Sequence, residues 1–145
     1  MMTLIESPAN VRQIRVVLDT NVLISAALLG IQARYILDLI EQGRLALFLS
    51  AAILHETDRK LRTKFRRSKE ERSEFFMYLE PLYQVVQPAE LAISKLRDPS
   101  DRHIIGTAVA AQANLIITTD PDLLTLKRYK TIGIVHPKTI GWLFR

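Results

Sequence analysis

The chain has 145 residues, enough for one domain and too few for two of ordinary size. Its hydrophobic content of 48% excludes a disordered chain, and the absence of cysteine excludes disulfides and thiolate metal sites, which fits a reducing, cytoplasmic setting. A formal net charge of +5 admits a polyanionic partner, nucleic acid or an acidic protein, and equally an ordinary domain with a few excess basic residues.

Residues 1–12 read as a polar leader with Pro8; Glu6 and the lack of a basic start before an apolar stretch argue against a secretory signal. The first strand is predicted at Ile14 to Leu18. Beyond it, the apolar run from Val22 to Ile31 is broken by Ser25 and Gly30 and falls short of the ~20 residues that cross a bilayer, so no membrane segment is expected. A helix follows over Gln32 to Gln42, with Ile36, Leu39 and Ile40 on one face and Gly43 placed to end it. Leu45 to Leu49 (LALFL) is the second strand, and Ser50 caps a helix over about 51–65. Ser68 with Glu71 three residues on forms a capping box for a helix over about 69–80.

Tyr83 to Val86 is a third strand. An Ala-rich helix then runs from near Asp98-Pro99 to about Gln112, with Gly106 permitting a close approach. Leu115 to Thr118 and Thr131 to Val135 complete five predicted strands, and Trp142 and Phe144 suit a packing anchor at the end of the chain. Apolar strands alternating with helices predict one α/β domain, a three-layer α/β/α sandwich around a central parallel sheet. In such sheets chemistry sits past the carboxyl ends of the strands.

Carboxylates are found in that position. Asp19 directly follows the first strand and Asp120 closely follows the fourth; Glu56 lies in the helix after the second strand, and Asp98 and Asp101 open the helix before the fourth. Each has a structural reading as well. Asp98-Pro99 and Asp120-Pro121 are N-cap patterns, Asp101 and Asp122 suit a helix first turn, and Glu56 is compatible with a plain surface position. Asp19 is hardest to explain this way, because a charge at the buried end of an apolar strand needs a partner. Gathered carboxylates repel, and a divalent cation bound through oxygen, Mg²⁺ or Mn²⁺, removes the penalty. Metal-assisted phosphodiester hydrolysis is the reaction class such a set suggests.

Four segments occur in order: VVLDTNVLISA (Val16 to Ala26), the Ser50 to Leu61 helix with its glutamate, DPSD (Asp98 to Asp101) followed by IIGTA, and IITTDPDLL (Ile116 to Leu124). Together they resemble PIN-domain ribonucleases, such as the VapC-like toxins of toxin–antitoxin pairs, over about residues 14–136. The resemblance implies a PIN-like fold and a catalytic acidic metal site at Asp19, Glu56, Asp101 and Asp120. It adds Asp122 as a further acid, Asp98 as the acid of a subgroup with this Arg-Asp-Pro pattern, and Asn21 and Thr118 as orienting polar residues. It also implies a Mg²⁺ or Mn²⁺ cofactor, single-stranded RNA as substrate, a homodimer, and a cognate antitoxin as partner. Ile105 and the Arg102-His103 pair depart from the family pattern without removing a proposed ligand.

A basic stretch contains Arg59, Arg62, Arg66 and Arg67 together with Lys60, Lys64, Lys69 and Arg72, suited to an RNA backbone, an acidic antitoxin segment or plain solvation. His55, His103 and His136 show no ligand spacing, although His103 lies close enough to the site to assist. A phosphatase of the haloacid-dehalogenase kind is disfavoured because Asn21 stands where that family carries a second Asp. The remaining alternative is a non-catalytic RNA- or partner-binding module on the same fold.

Overall fold

The computed structural model describes residues 13–91 and 99–144. In chain order the elements are β1 (Ile14–Leu18), α1 (Thr20–Ala27), α2 (Ile31–Glu41), β2 (Leu45–Leu49), α3 (Ala51–Thr63), α4 (Lys69–Leu79), a 3₁₀ turn (Glu80–Leu82), β3 (Tyr83–Val85), α5 (Pro99–Ala110), β4 (Leu115–Ile117), α6 (Pro121–Leu126), β5 (Arg128–Tyr129), β6 (Ile132–Val135) and α7 (Pro137–Leu143). The strands form one six-stranded sheet in the order β3-β2-β1-β4-β6-β5. Every pairing is parallel except the edge pair β5–β6.

The central strands are apolar because both of their faces are covered. Val16, Val17 and Leu18 of β1, Leu47 and Leu49 of β2, and Ile116 and Ile117 of β4 are all essentially excluded from solvent. Helices complete the outer layers of the α/β sandwich, with Leu23, Ile36, Leu37, Ile53 and Ile105 fully buried against the sheet. The chain steps from β1 to β2 and β3 on one side, then returns to place β4 on the other side of β1. The order therefore reverses between β1 and β4, which opens a crevice at their carboxyl ends.

Three features differ from the expectations. The run after Asp19 is a helix, α1, with Val22, Leu23, Ile24 and Ala26 buried. Only Asn21 and Ser25 are exposed along its eight residues, a polar stripe too short and narrow for helical periodicity to stand out. The sheet is not wholly parallel, since a tight turn with Lys130 at φ +54° folds β5 back on β6. Finally, Trp142 does not act as a buried anchor: it lies on α7 with 63% of its surface exposed, while Phe144 packs half-buried against the core. No single helix among the described residues is long and apolar enough to cross a membrane.

Glycines serve where the backbone demands them. Gly43 takes φ +76° just past the end of α2, the left-handed position that ends a helix without a Cβ clash. Gly106 brings α5 against the segment after β3, where the Ala89 N–H donates to the Gly106 carbonyl at 2.9 Å.

Candidate active site

Asp19 is the first residue past β1 and serves as N-cap of α1. Its backbone N–H continues the β1–β4 ladder, donating to the Ile117 carbonyl at 3.0 Å. Its side chain is almost completely enclosed, at 9% exposure, and both oxygens accept hydrogen bonds: Oδ1 from Thr20 N at 2.7 Å and Oδ2 from Thr118 Oγ1 at 2.7 Å. These are the partners that a charge at the end of a buried strand requires.

Thr118 is the first residue past β4 and is fully buried. While donating to Asp19, its hydroxyl accepts from Asp120 N at 2.9 Å. Asp120 in turn caps α6, with Oδ1 accepting from Asp122 N at 2.9 Å and Pro121 in the first turn. Capping and cleft membership coexist, because a cap uses only one lone pair of one oxygen.

Asp101 lies in the first turn of α5 and is buried, at 6% exposure. Glu56 stands on α3, where Arg59 grips its Oε1 through Nη2 at 2.7 Å and Nε at 3.1 Å. Lys60, one turn along the same face, holds its ammonium 3.6 Å from Glu56 Oε2. The Arg59 hydrogen bond keeps the Glu56 carboxyl below the usual carboxylate range, against an opposing push from burial and with further help from the charges of Arg59 and Lys60.

These side chains line one cleft. Asp19, Thr20, Asn21, Glu56, Lys60, Asp101, His103, Ile104 and Asp120 surround a cavity of about 130 Å³ at the carboxyl end of the central strands. A larger hollow between α2 and α7, about 400 Å³ bounded by Ile31, Tyr35 and Trp142, has no acid or histidine in its wall and so no equipment for acid–base or metal chemistry.

The four acids expected at the centre thus share one opening, with Asn21 beside them and Thr118 behind Asp19. Asp122 is exposed and does not line the cleft; its backbone N–H, not its carboxylate, is turned to Asp120. Asp98 lies outside the described residues. None of the four arginines expected to hold RNA lines the cleft: Arg59 closes on Glu56, Arg67 lies 3.5 Å from Glu71, and Arg62 and Arg66 are exposed. Three cleft residues, Thr20, Lys60 and Ile104, had no role in the expected site. Lys60 was one cation in a crowded basic stretch, and its spacing of four from Glu56 was the signal that marked it. His103, placed only nearby, has a buried Nδ1 with no hydrogen-bond partner among the described residues.

The donors are all oxygens, which suits a hard divalent cation, and each Asp19 oxygen keeps a second lone pair beyond the hydrogen bond it accepts. As the side chains stand, no group of three acids or histidines among the described residues converges tightly enough to enclose a metal ion.

A mostly parallel α/β sheet with carboxylates collected where its strand order reverses defines the class: an α/β domain with an acidic cleft at its topological switch point. Residues 15–122 match the family model of the PIN domain, and the chain belongs to that family. PIN domains are generally nucleases, which supports a hydrolase role. No curated protein matches the chain.

Proposed function

We propose that this chain is a Mg²⁺- or Mn²⁺-dependent endoribonuclease that hydrolyses phosphodiester bonds of single-stranded RNA. The observation that carries the reading is the cleft itself, in which Asp19, Glu56, Asp101 and Asp120, drawn from four separate elements, open onto one cavity. Four carboxylates in so small a space repel one another, and a bound cation is the natural counter-charge. Asp19, Asp101 and Asp120 would hold it, with Glu56 at the rim. When bound, such an ion polarises the phosphodiester and lowers the pKa of a coordinated water.

The protein's own part is orientation. Thr118 fixes the rotamer of Asp19 and tethers the backbone of Asp120, so two acids that follow different strands keep a set spacing. Ile104, buried beside the cleft, restricts water on one side. The finer reading, the toxin of a toxin–antitoxin pair with a cognate antitoxin as partner, rests on the sequence resemblance; growth arrest on induced expression, absent for Asp19→Asn, supports it.

The deciding assay incubates purified protein with labelled single-stranded RNA in Mn²⁺, then with EDTA, beside a folded Asp19→Asn variant. Cleavage that EDTA and Asp19→Asn both abolish is expected. Wild-type turnover in Asp19→Asn overturns the proposal, and RNA binding without cleavage in Mn²⁺ points instead to a non-catalytic module.

A further inference from the structure

The cleft contains one Lys or Arg side chain among the described residues, Lys60. Its neighbours in the basic stretch, Arg62, Lys64 and Arg66, extend into solvent, whereas the Lys60 side chain is only 25% exposed and lies beside Glu56. An ammonium held beside a carboxylate is best satisfied by a short charge-assisted hydrogen bond, which a good partner would supply. Glu56 is a poor one: 3.6 Å from Nζ to Oε2 is an ion pair too long for a hydrogen bond. Arg59 already hydrogen-bonds the Glu56 carboxylate at 2.7 Å, so Lys60 is its weaker partner. Lys60 thus borders an acidic cavity with an ammonium of three N–H donors, and no hydrogen bond of 3.5 Å or less joins it to a described residue.

A phosphodiester entering this cleft brings another negative charge toward Asp19, Glu56, Asp101 and Asp120. It needs a cation of the protein's own, mobile enough to reach an oxygen and compact enough to act as a point charge. A lysine on a flexible four-carbon stem has those properties; the forked guanidinium of Arg59, already engaged, does not.

We propose that Lys60 is the phosphate-binding residue of this cleft, its ammonium moving from Glu56 to a non-bridging oxygen of the RNA phosphodiester next to the bond that is cut. The proposal rests on the nuclease reading above. Leaving Glu56 is cheap because Arg59 remains to neutralise it. The contact replaces a long ion pair with a charge-assisted hydrogen bond to a fixed anion.

The test measures fluorescence anisotropy of labelled single-stranded RNA in magnesium buffer across a salt series, comparing Asp19→Asn protein with Asp19→Asn/Lys60→Met. Loss of one phosphate contact predicts binding about tenfold weaker at low salt and a slope of log affinity against log salt smaller by about 0.7. Lys60→Arg, which keeps the charge, restores the slope, and Lys60→Gln, isolated as a folded protein, repeats the loss. In the cleaving protein Lys60→Met lowers kcat/KM by a similar factor. Unchanged affinity and salt slope in Lys60→Met, with wild-type cleavage intact, overturn the Lys60 assignment alone. A wild type that neither binds nor cleaves RNA removes the nuclease reading and this proposal with it.

Discussion

The Thr118 hydroxyl sits between two acids that follow different strands, donating to Asp19 Oδ2 at 2.7 Å across 99 positions of sequence and accepting from Asp120 N at 2.9 Å. One buried hydroxyl thereby fixes the spacing of the Asp19 and Asp120 sides of the cleft. Thr118→Val keeps the shape but leaves the Asp120 N–H without its acceptor and Asp19 Oδ2 without its donor, while Thr20 N still serves Oδ1. Stability should fall by about 1–3 kcal/mol, and nuclease activity by about 10- to 100-fold. Thr118→Ser, which keeps the hydroxyl, should recover most of both. Full activity in a folded Thr118→Val protein would show that the hydroxyl does not set the cleft.

Arg59 and Glu56 make a pH-dependent pair. The folded Glu56 carboxyl titrates below its ordinary value of 4.5, first because Arg59 hydrogen-bonds it. A depressed folded pKa means that the pair's stabilisation is present above the unfolded value and is lost as pH falls through the folded one. Both side chains are substantially exposed, 55% and 32%, so solvent screening keeps the contribution below about 1 kcal/mol. Arg59→Gln should lower the urea midpoint slightly at neutral pH and leave it unchanged once Glu56 is protonated in both states. Carboxyl NMR titration should show Glu56 moving up toward its ordinary value in the variant; an unmoved titration would mean that Arg59 is not its partner in solution.

Gly106 is required by contact rather than by backbone conformation. A Cβ there would lie 2.5 Å from the Ala89 carbonyl oxygen, closer than such atoms approach. Since the obstacle is backbone held by the Ala89 N–H to Gly106 hydrogen bond, it cannot rotate aside. Gly106→Ala should destabilise by about 1–3 kcal/mol and lower Tm by several degrees. The gain in helix propensity, up to about 1 kcal/mol, offsets only part of this. A calorimetric Tm equal to wild type would contradict the close approach.

Tyr78 reports on the far side of the domain. Burial first, then its 2.6 Å hydrogen bond to Glu41 Oε2, push its hydroxyl up to about 12. Between the ordinary value of 10.0 and about 12 the folded protein keeps a proton that the unfolded chain releases, so stability declines as pH rises through that interval. Phenolate absorbance should show one late step among the four tyrosines, missing in Tyr78→Phe. Tyr83 is also raised, mainly by burial, so the comparison with the single variant is what assigns the step.

Strand edges were legible where an apolar run met charge or a turn. Ile14–Leu18 and Leu45–Leu49 appear with the expected limits because Asp19 and Ser50 both stop a strand and start a helix. The Ser68–Glu71 capping box formed as its spacing requires, with Ser68 N donating to Glu71 Oε1 at 2.8 Å and Glu71 N donating to Ser68 Oγ at 3.1 Å. The local alphabet failed at α1, whose exposed stripe of Asn21 and Ser25 is too short to give amphipathic contrast, and at Trp142, whose size suggested burial that α7 does not provide.

By itself the sequence determined the alternation of elements, the caps, and the identity of the acids that follow the strands, because these depend on neighbours within a few positions. The tertiary structure alone decided that β1 and β4 lie side by side, that Thr118 links Asp19 to Asp120, that Asp122 stays outside the cleft, and that Lys60 rather than the nearby arginines enters it. Those outcomes follow from strand order and side-chain direction, which long-range burial fixes and local spacing does not encode.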